Sequence, residues 1–297
     1  MKVEKGTFLT LRDKGIYLYD PSRLGTFISC PLAYAYRHEL GLIPITEAPA
    51  YGRDYGACGH AALQAWEMNN RDDKLALQTW HQKFAPLEEP PQFSSKTGKE
   101  LKGTYTLLAG ASLLTAYFNK YRNDQRKVVE VELCLAEEIA PNKFVCGRID
   151  KLMQTHNGYC YGDYKFTKFP NNYDTLPSLQ FQTYEYLIGK VTGSDKISGE
   201  LDLLQVMKSY NGQDPITRVP FSYSDFHREE WRMSAVWWIS RIDACRAANY
   251  WPQGWNCKPF FSDCAYKPLC QAPSESVRRG LIDSMYRVEY WDPFDAV

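Results

Sequence analysis

Gly-Arg-Ile-Asp at residues 147–150, Asn-Gly at 157–158 and Gly-Asp-Tyr-Lys at 162–165 are the pieces of sequence that decide the fold. The residues around them, 143–153 and 159–166, have strand patterns, and the Asn-Gly pair between them is a strong hairpin signal. Side chains repeat every two residues along a strand, so Asp163 and Lys165 share one face. The hairpin then brings Asp150 beside them, and the sequence predicts that two carboxylates and an ammonium group meet.

This trio has a chemistry of its own. Two carboxylates that converge on one point suit a hard cation such as magnesium or manganese. Such a cation stabilises charge on a phosphate and lowers the pKa of a bound water. A lysine two residues from one of the acids can orient that water or help to deprotonate it, and can face the developing negative charge. An isolated Asp-x-Lys is more often a surface ion pair, but Asp150 stands 13 residues upstream of Asp163 across a turn. The pairing favours a centre that cleaves phosphodiesters.

Length and composition fit a folded enzyme. The chain has 297 residues, of which 44% are hydrophobic and 24% charged, enough for one large domain or two small ones. We expect a single α/β domain over residues 1–297, with the catalytic core at about 126–210. The formal net charge is zero, so any contact with nucleic acid must come from a local positive groove.

Other features concern the compartment. The sequence has no apolar run of the roughly 18 to 20 residues that a membrane span needs, and residues 1–19 lack the apolar core of a secretory signal. We therefore expect a cytoplasmic protein without a membrane partner. Nine cysteines in such a chain are unlikely to form a disulfide framework. The sequence also lacks a phosphate-binding loop, which argues against a built-in ATP motor.

The remaining elements are predicted from periodicity and from glycine and proline signals. We expect a strand or hairpin at 7–19, a helix start at 20–22 and a break at Pro31. A tight glycine-bearing turn should lead into a helix within 52–69. Residues 85–103 should be a mobile surface loop. Further helices are expected at 104–123, 177–190 and 223–248, and further strands at 128–135 and 200–208.

Four cysteines stand out. Cys30 lies before a proline at a helix junction, and Cys257, Cys264 and Cys270 lie in an irregular segment, with six and five residues between them. Four thiolates can hold a four-iron, four-sulfur cluster or a zinc ion. Unligated buried thiols are the third interpretation, and the spacing does not separate iron–sulfur from zinc.

The order of these motifs resembles the PD-(D/E)XK nuclease superfamily. More narrowly it is similar to RecB-family iron–sulfur nucleases, such as AddB-type exonucleases, the CRISPR-adaptation nucleases of the same fold and related phage exonucleases. The resemblance spans residues 22–270. It implies a restriction-endonuclease-like core, in which helices flank a central mixed sheet. Helical N- and C-terminal parts, at about 20–40 and 250–272, would be joined by a four-cysteine metal cluster.

The resemblance also implies roles for particular residues. Magnesium or manganese would be bound by His60, Asp150, Asp163 and the backbone carbonyl of Tyr164, and Lys165 would be catalytic. Gln180 and Tyr184 would contact the phosphate backbone or hold the lysine, although Gln182 and Tyr186 have the same spacing. Arg23 is a further candidate for a phosphate contact. The resemblance favours iron–sulfur over zinc at Cys30, Cys257, Cys264 and Cys270, although the interval after Cys257 is longer than is common in relatives.

The function expected from all of this is a metal-dependent deoxyribonuclease. We expect an exonuclease that acts on single-stranded or end-containing DNA in recombination, repair or phage DNA processing, with a recombination or single-strand-binding protein as a candidate partner. The 21 tyrosines and eight tryptophans offer faces on which unpaired bases can stack. One alternative is a module with the nuclease fold that binds DNA or a recombination partner without cutting. Another is a zinc-stapled endonuclease. The intact set of two aspartates and a lysine favours an enzyme.

Overall fold

The computed structural model describes residues 1–4, 6–46, 51–88, 92–93, 100–101, 103–207, 212–255, 257–258 and 263–295. Its helices are α1 (Thr7–Asp13), α2 (Pro21–Ser29), α3 (Pro31–Tyr34), α4 (Tyr51–Met68), α5 (Asp73–Phe84), α6 (Leu107–Tyr121), α7 (Leu179–Thr192), α8 (Asp225–Ala248), α9 (Lys267–Cys270) and α10 (Glu275–Met285). A π-helical turn covers Ala35–Glu39, and 3₁₀ turns cover Ala85–Leu87 and Pro170–Asn172.

The strands are β1 (Leu18–Tyr19), β2 (Leu42–Pro44), β3 (Gln92–Phe93), β4 (Glu100–Leu101), β5 (Lys127–Ala140), β6 (Lys143–Thr155), β7 (Gly158–Thr167), β8 (Ile197–Gln205), β9 (Ile216–Phe221) and β10 (Tyr286–Val288). Six of them form the central sheet. In it β5, β6 and β7 are antiparallel neighbours, β7 and β8 are parallel, and β9 closes the sheet antiparallel to β8. The short β1 runs parallel to β6. The sheet is therefore mixed, as the sequence predicted.

The predicted hairpin joins β6 to β7, but its turn lies one residue earlier than the Asn157–Gly158 pair. Thr155 pairs with Gly158, so His156 and Asn157 form the two-residue turn. Gly158 has a φ of +152°, and a Cβ atom there would lie 2.1 Å from the carbonyl oxygen of Lys196. Only glycine fits this close approach of two backbones.

Helices cover both faces of the sheet. One face packs against α2, α7 and α8, and its strand side chains include Tyr161, Leu201 and Leu203. The other face packs against α4, α5 and α6 through Tyr164 and Leu204. Along β7 and β8, these odd-numbered residues face one layer and these even-numbered residues face the other, as strand alternation requires. The result is a sandwich of helices around one mixed sheet.

The predicted strand or hairpin at 7–19 is wrong. Residues 7–13 form α1, and only Leu18 and Tyr19 of the expected strand or hairpin are extended. Phe8 of α1 is buried against Phe294, with ring centroids 6.4 Å apart. This partner lies at the far end of the sequence, so local periodicity carried no information about it.

The glycines before His60 also differ from expectation. They lie inside α4, not in a turn that leads to it. Gly59 lies against the ring of Phe166, where a Cβ atom would be 2.3 Å from Cζ. The glycine therefore lets α4 approach β7 closely.

Other boundaries agree with the sequence. Asp20 caps α2 by accepting a hydrogen bond from the Arg23 amide at 2.6 Å, and the helix ends before Pro31.

Most of the expected loop at 85–103 lies outside the described residues. Among the residues that the structure does describe, no helix combines the length and apolarity needed to cross a bilayer.

Candidate active site

The cleft opens at a fork in the central sheet. β1 pairs with β6 at Phe144 and Val145, whereas β7 pairs with the same edge of β6 only from Lys151 onward. The edge of β6 between those two pairings has no strand beside it in the described part of the chain. A cavity of about 640 Å³ lies there. Its lining includes Asp20, Ser22, Arg53, Gly56, His60, Gln64, Glu132, Gly147, Arg148, Asp150, Asp163, Tyr164, Lys165, Gln180, Tyr184, Trp291 and Pro293.

The fork brings the predicted acids together. Past the Lys151–Gly162 pair the two strands separate, and the Tyr164 amide donates a hydrogen bond to Asp150 Oδ2 at 2.9 Å. Asp163 and Lys165 lie on one face of β7, with Lys165 Nζ 2.7 Å from Asp163 Oδ2.

The histidine completes the group. His60 projects from α4, and its Nδ1 is 3.3 Å from Asp150 Oδ2. His60, Asp150, Asp163 and Lys165, which the sequence predicted as metal ligands and a catalytic lysine, therefore line one cleft.

Gln180 supports one of these acids. Its Nε2 donates to Asp163 Oδ1 at 2.8 Å and to the Tyr184 hydroxyl at 2.9 Å. Gln182 faces elsewhere and donates to the backbone carbonyl of His227 at 3.0 Å. The Gln180–Tyr184 pair thus faces the cleft, and the glutamine reaches Asp163 and not the lysine.

Tyr184 has a packing role as well. Its hydroxyl accepts from Gln180, and its ring covers the backbone of Gly147, where a Cβ atom would lie 2.8 Å from Cε1. The side chain is buried. It stabilises the floor of the cleft beneath the acids.

Glu132 is the site residue that sequence reasoning missed. Ligand atoms of His60, Glu132 and Asp150 all lie within 4.8 Å of one another, and the predicted ligand Asp163 is outside this group. Arg148 Nε lies 2.9 Å from Glu132 Oε2. Glu132 has a φ of +50°, a conformation that costs a residue with a side chain about 1–2 kcal/mol and that is concentrated at functional sites.

No local signal marks Glu132. It is one of several acids in β5, and it stands between the pairs Val131–Lys151 and Leu133–Ile149, opposite Asp150. Only the register of β5 against β6 reveals this position. The strand pattern predicted β5 but not its register.

The electrostatics of the site favour a cation. Burial, together with the charge of Asp150, raises the pKa of Asp163 to about 6. Burial alone would lower the pKa of His60 and of Lys165, but the neighbouring aspartates outweigh it and raise both. Burial would raise the pKa of Asp150, yet His60 and Lys165 hold it below its ordinary value. The negative charge of Asp150 and Asp163 therefore favours the protonated forms of His60 and Lys165.

The donor set fits a divalent ion. Asp163 is 1% exposed, and its Oδ2 faces the ammonium group of Lys165, whose Nζ lies 2.7 Å away. A buried carboxylate is costly unless a positive charge compensates it, and a bound cation would add to that compensation. Carboxylate oxygens are suitable ligands for magnesium or manganese.

The structure does not bring Arg23 to the cleft. Its side chain is 1% exposed and donates to the Leu18 carbonyl and the Tyr34 hydroxyl, at 3.2 and 3.0 Å. The predicted phosphate contact does not agree with this position. A buried guanidinium with these partners holds α2 against β1 and α3.

The cysteines lie where the chain ends meet. Cys30 Sγ accepts hydrogen bonds from the backbone amides of Ala33 and Gly254, at 3.4 and 3.2 Å. The Cys264 amide donates to the Cys257 carbonyl at 2.9 Å. Burial raises the pKa of Cys270, and negative charge on the other three thiols raises it further. All nine cysteines lie in the described ranges and are free thiols, and the four predicted ligands do not form a group whose sulfur atoms all lie within 4.8 Å of one another.

A mixed sheet with two acids and a lysine at its fork defines a class of protein, the nucleases. Residues 20–271 match the model of the PD-(D/E)XK nuclease superfamily, and the chain belongs to that superfamily. It is an enzyme class that acts on nucleic acid.

Several solved structures are similar to this chain, and one of them serves as an example. A crystal structure from Eubacterium rectale, described provisionally as an exonuclease, has a TM-score of 0.49 and 11% sequence identity. The similarity covers 86% of this chain and 90% of that one. A likeness of that size says nothing about activity. No curated protein matches the chain at a significant level.

Proposed function

We propose that the protein is a magnesium- or manganese-dependent DNA exonuclease that acts on single-stranded or end-containing DNA. One observation carries the proposal. His60, Asp150, Asp163 and Lys165 converge in one cleft, with Nδ1 of the histidine 3.3 Å from Asp150 and Nζ of the lysine 2.7 Å from Asp163. Membership of the superfamily supports a nucleic-acid substrate.

The residues of the cleft would have two roles, cation binding and positioning of the attacking water. His60, Asp150, Asp163 and the backbone carbonyl of Tyr164 would hold the cation, with the Glu132 carboxylate beside them. When bound, a divalent cation would stabilise charge on the phosphate and acidify a water. Lys165 would position that water and face the negative charge that develops in the transition state.

A binding module without cleavage is the alternative. It would need the fold and the positive groups of the cleft, but not a buried acid at its centre. Asp163 is such an acid, because it is 1% exposed and burial raises its pKa to about 6. The cost of keeping this acid in the cleft favours catalysis.

The test is digestion of end-labelled oligonucleotides with manganese, using linear single strands, linear duplexes and a closed circular single strand. We expect short products from linear DNA, no cutting of the circle, and no products with EDTA. Asp163→Ala and Lys165→Ala should abolish cleavage while the circular dichroism spectrum stays unchanged. Cutting of the circle would favour an endonuclease, and binding without cutting by the unaltered protein would favour the module.

We also propose a four-iron, four-sulfur cluster at Cys30, Cys257, Cys264 and Cys270. The two backbone amides that donate to Cys30 Sγ support a thiolate there. The cluster would join the N- and C-terminal parts as a structural staple. Visible absorption and metal analysis of anaerobically purified protein distinguish it from zinc. Loss of the cluster in Cys264→Ala should loosen the terminal parts and weaken DNA binding, and a fully folded, fully active variant would contradict the proposal.

The setting we propose is the cytoplasm, where free thiols persist. A compact nuclease chain fits recombination, repair or phage DNA processing, with a recombination or single-strand-binding protein as partner. Co-purification of such a protein from the native host would test this setting.

A further inference from the structure

The segment 289–295 forms one wall of the cleft and is firmly attached. The Glu289 amide donates to the Gly41 carbonyl, and Arg37 donates to the Glu289 carbonyl, both at 2.7 Å. Phe294 is fully buried. The guanidinium of Arg12 lies 3.6 Å from the centre of the Tyr290 ring. Contacts on both sides of residue 291 therefore fix the backbone that carries it.

A hydrogen bond at the indole N–H edge fixes the ring of Trp291. Its indole Nε1 donates to Asp20 Oδ2 at 2.6 Å, and Asp20 is itself 3% exposed. The other oxygen of Asp20 caps α2 and cannot move away without losing that hydrogen bond. The tryptophan nonetheless remains 36% exposed and lines the cleft together with Pro293.

The segment also lies close to the acids. Arg148 donates to the backbone carbonyl of Asp295 at 2.5 Å, and the same guanidinium lies 2.9 Å from Glu132. A single side chain thus connects the segment to a carboxylate of the candidate metal site. A nucleotide with its phosphate at the acids would place its base within the same cleft.

We propose that Trp291 stacks against an unpaired nucleobase next to the scissile phosphate. Every base has a flat π face, so such a contact is tolerant of sequence. Bases inside a duplex already stack on their neighbours, and the contact is therefore available to a single strand. The inference rests on the proposed function, and it names the chemical group that would make the enzyme prefer unpaired DNA.

The test measures binding in the cleavage-deficient Lys165→Ala background, by fluorescence anisotropy of a labelled single-stranded oligonucleotide with manganese. Adding Trp291→Ala should weaken binding about 30-fold, the middle of the range for one stacked base. Adding Trp291→Phe, which keeps an aromatic face but loses the N–H donor, should stay within about threefold of the background. Trp237→Ala is the matched control, since Trp237 is a 48% exposed tryptophan on α8 outside the cleft.

A second oligonucleotide separates the contribution of base stacking from that of contacts to the phosphate backbone. It has the same length and phosphates but abasic sugars throughout. With this strand, the Trp291→Ala change should have no effect on the dissociation constant. Equal losses for Trp291→Ala and Trp291→Phe, or an equal loss on the abasic strand, would assign Trp291 a purely structural role and overturn the inference.

The inference and the proposed function can fail separately. Cleavage by the unaltered protein with no effect of Trp291→Ala on binding would remove the stacking role alone. A stacking effect without cleavage by the unaltered protein would remove the nuclease activity and leave a single-strand binding cleft.

Discussion

Asp163 owes its position to the side chain that faces it from α7. Gln180 donates to Asp163 Oδ1 at 2.8 Å and leaves Oδ2 facing Lys165, whose Nζ is 2.7 Å away. The glutamine therefore sets which oxygen of the acid points toward a cation. Residues that orient a metal ligand are often nearly as important as the ligand itself.

Replacing Gln180 should impair catalysis without affecting the fold. We expect Gln180→Leu to lower kcat with manganese by about 10- to 100-fold, the range for losing a group that orients a metal ligand. Gln182→Leu is the control on the same helix, because Gln182 bonds to the His227 carbonyl and not to the site. Steady-state cleavage rates and thermal melting of both variants check this. Equal rates for the two variants would be inconsistent with the role given to Gln180.

Glu132 gives a second prediction at this scale. Because its carboxylate lies beside His60 and Asp150, Glu132→Gln should raise the manganese concentration for half-maximal cleavage by roughly tenfold or more. Glu130→Gln, on the same strand, removes a surface ion pair with Lys2 and should change nothing measurable. A manganese titration of activity distinguishes them, and identical curves would argue against Glu132 as part of the metal site.

The positions of some of these residues could be predicted from the sequence, and those of others could not. Asp163 and Lys165 follow from strand alternation, and Asp150 follows from the hairpin, because both are short-range rules. Glu132 depends on the register between β5 and β6. Arg23 looked like an exposed cation, and only the long-range packing of α2 reveals that it is buried.

At the scale of elements, α4 must approach β7 for His60 to reach Asp150. Gly59 allows this approach because it has no side chain to meet the Phe166 ring. Gly56 lies one turn earlier, where a Cβ atom would be at an ordinary contact distance of 3.9 Å from Phe166. The sequence pattern placed both glycines in a turn before the helix. Glycine is a weak helix former, so local propensity favoured that interpretation, and the packing against Phe166 overrode it.

The two glycines should respond oppositely to alanine. Gly59→Ala forces a methyl group against the Phe166 ring and should destabilise the protein by about 1–3 kcal/mol, while also reducing manganese affinity. Gly56→Ala has room and should stabilise it by about 0.5–1 kcal/mol through helix propensity. Urea unfolding of both variants measures this. A Gly59→Ala protein as stable as the Gly56→Ala protein would contradict the close approach.

At the scale of the whole molecule, the two ends of the chain meet. β2 pairs with β10, and Cys30 accepts a hydrogen bond from Gly254. The N-terminal part also carries His38, whose side chain is 7% exposed and whose Nδ1 has no hydrogen-bond partner. The sequence predicted that residues 20–40 and 250–272 belong together, because the cysteines marked both. It did not predict the cleft wall at 289–295, which no motif marks.

His38 makes stability depend on pH. Burial, with Arg23 and Arg37 nearby, lowers its pKa from an ordinary 6.5 to about 2. Between those values the unfolded chain binds a proton that the folded chain does not, so stability is lost as pH falls below about 6.5. At pH 5 the cost from this residue should be about 2 kcal/mol.

The measurement is the free energy of unfolding at pH 7.5 and pH 5.0. His38→Gln cannot titrate and should lose less stability between the two pH values than the unaltered protein. His81→Gln, at an exposed position on α5, should behave like the unaltered protein. The same loss in all three proteins would show that His38 does not remain neutral.

The central claim is that His60, Asp150 and Asp163 hold one divalent cation in the cleft at the fork of the sheet. Anomalous scattering from a crystal soaked in manganese tests it most directly. The account predicts a strong peak within coordination distance of all three side chains, and its absence from an Asp163→Asn crystal soaked in the same way. A peak elsewhere on the molecule, or none in the cleft at saturating manganese, would contradict it.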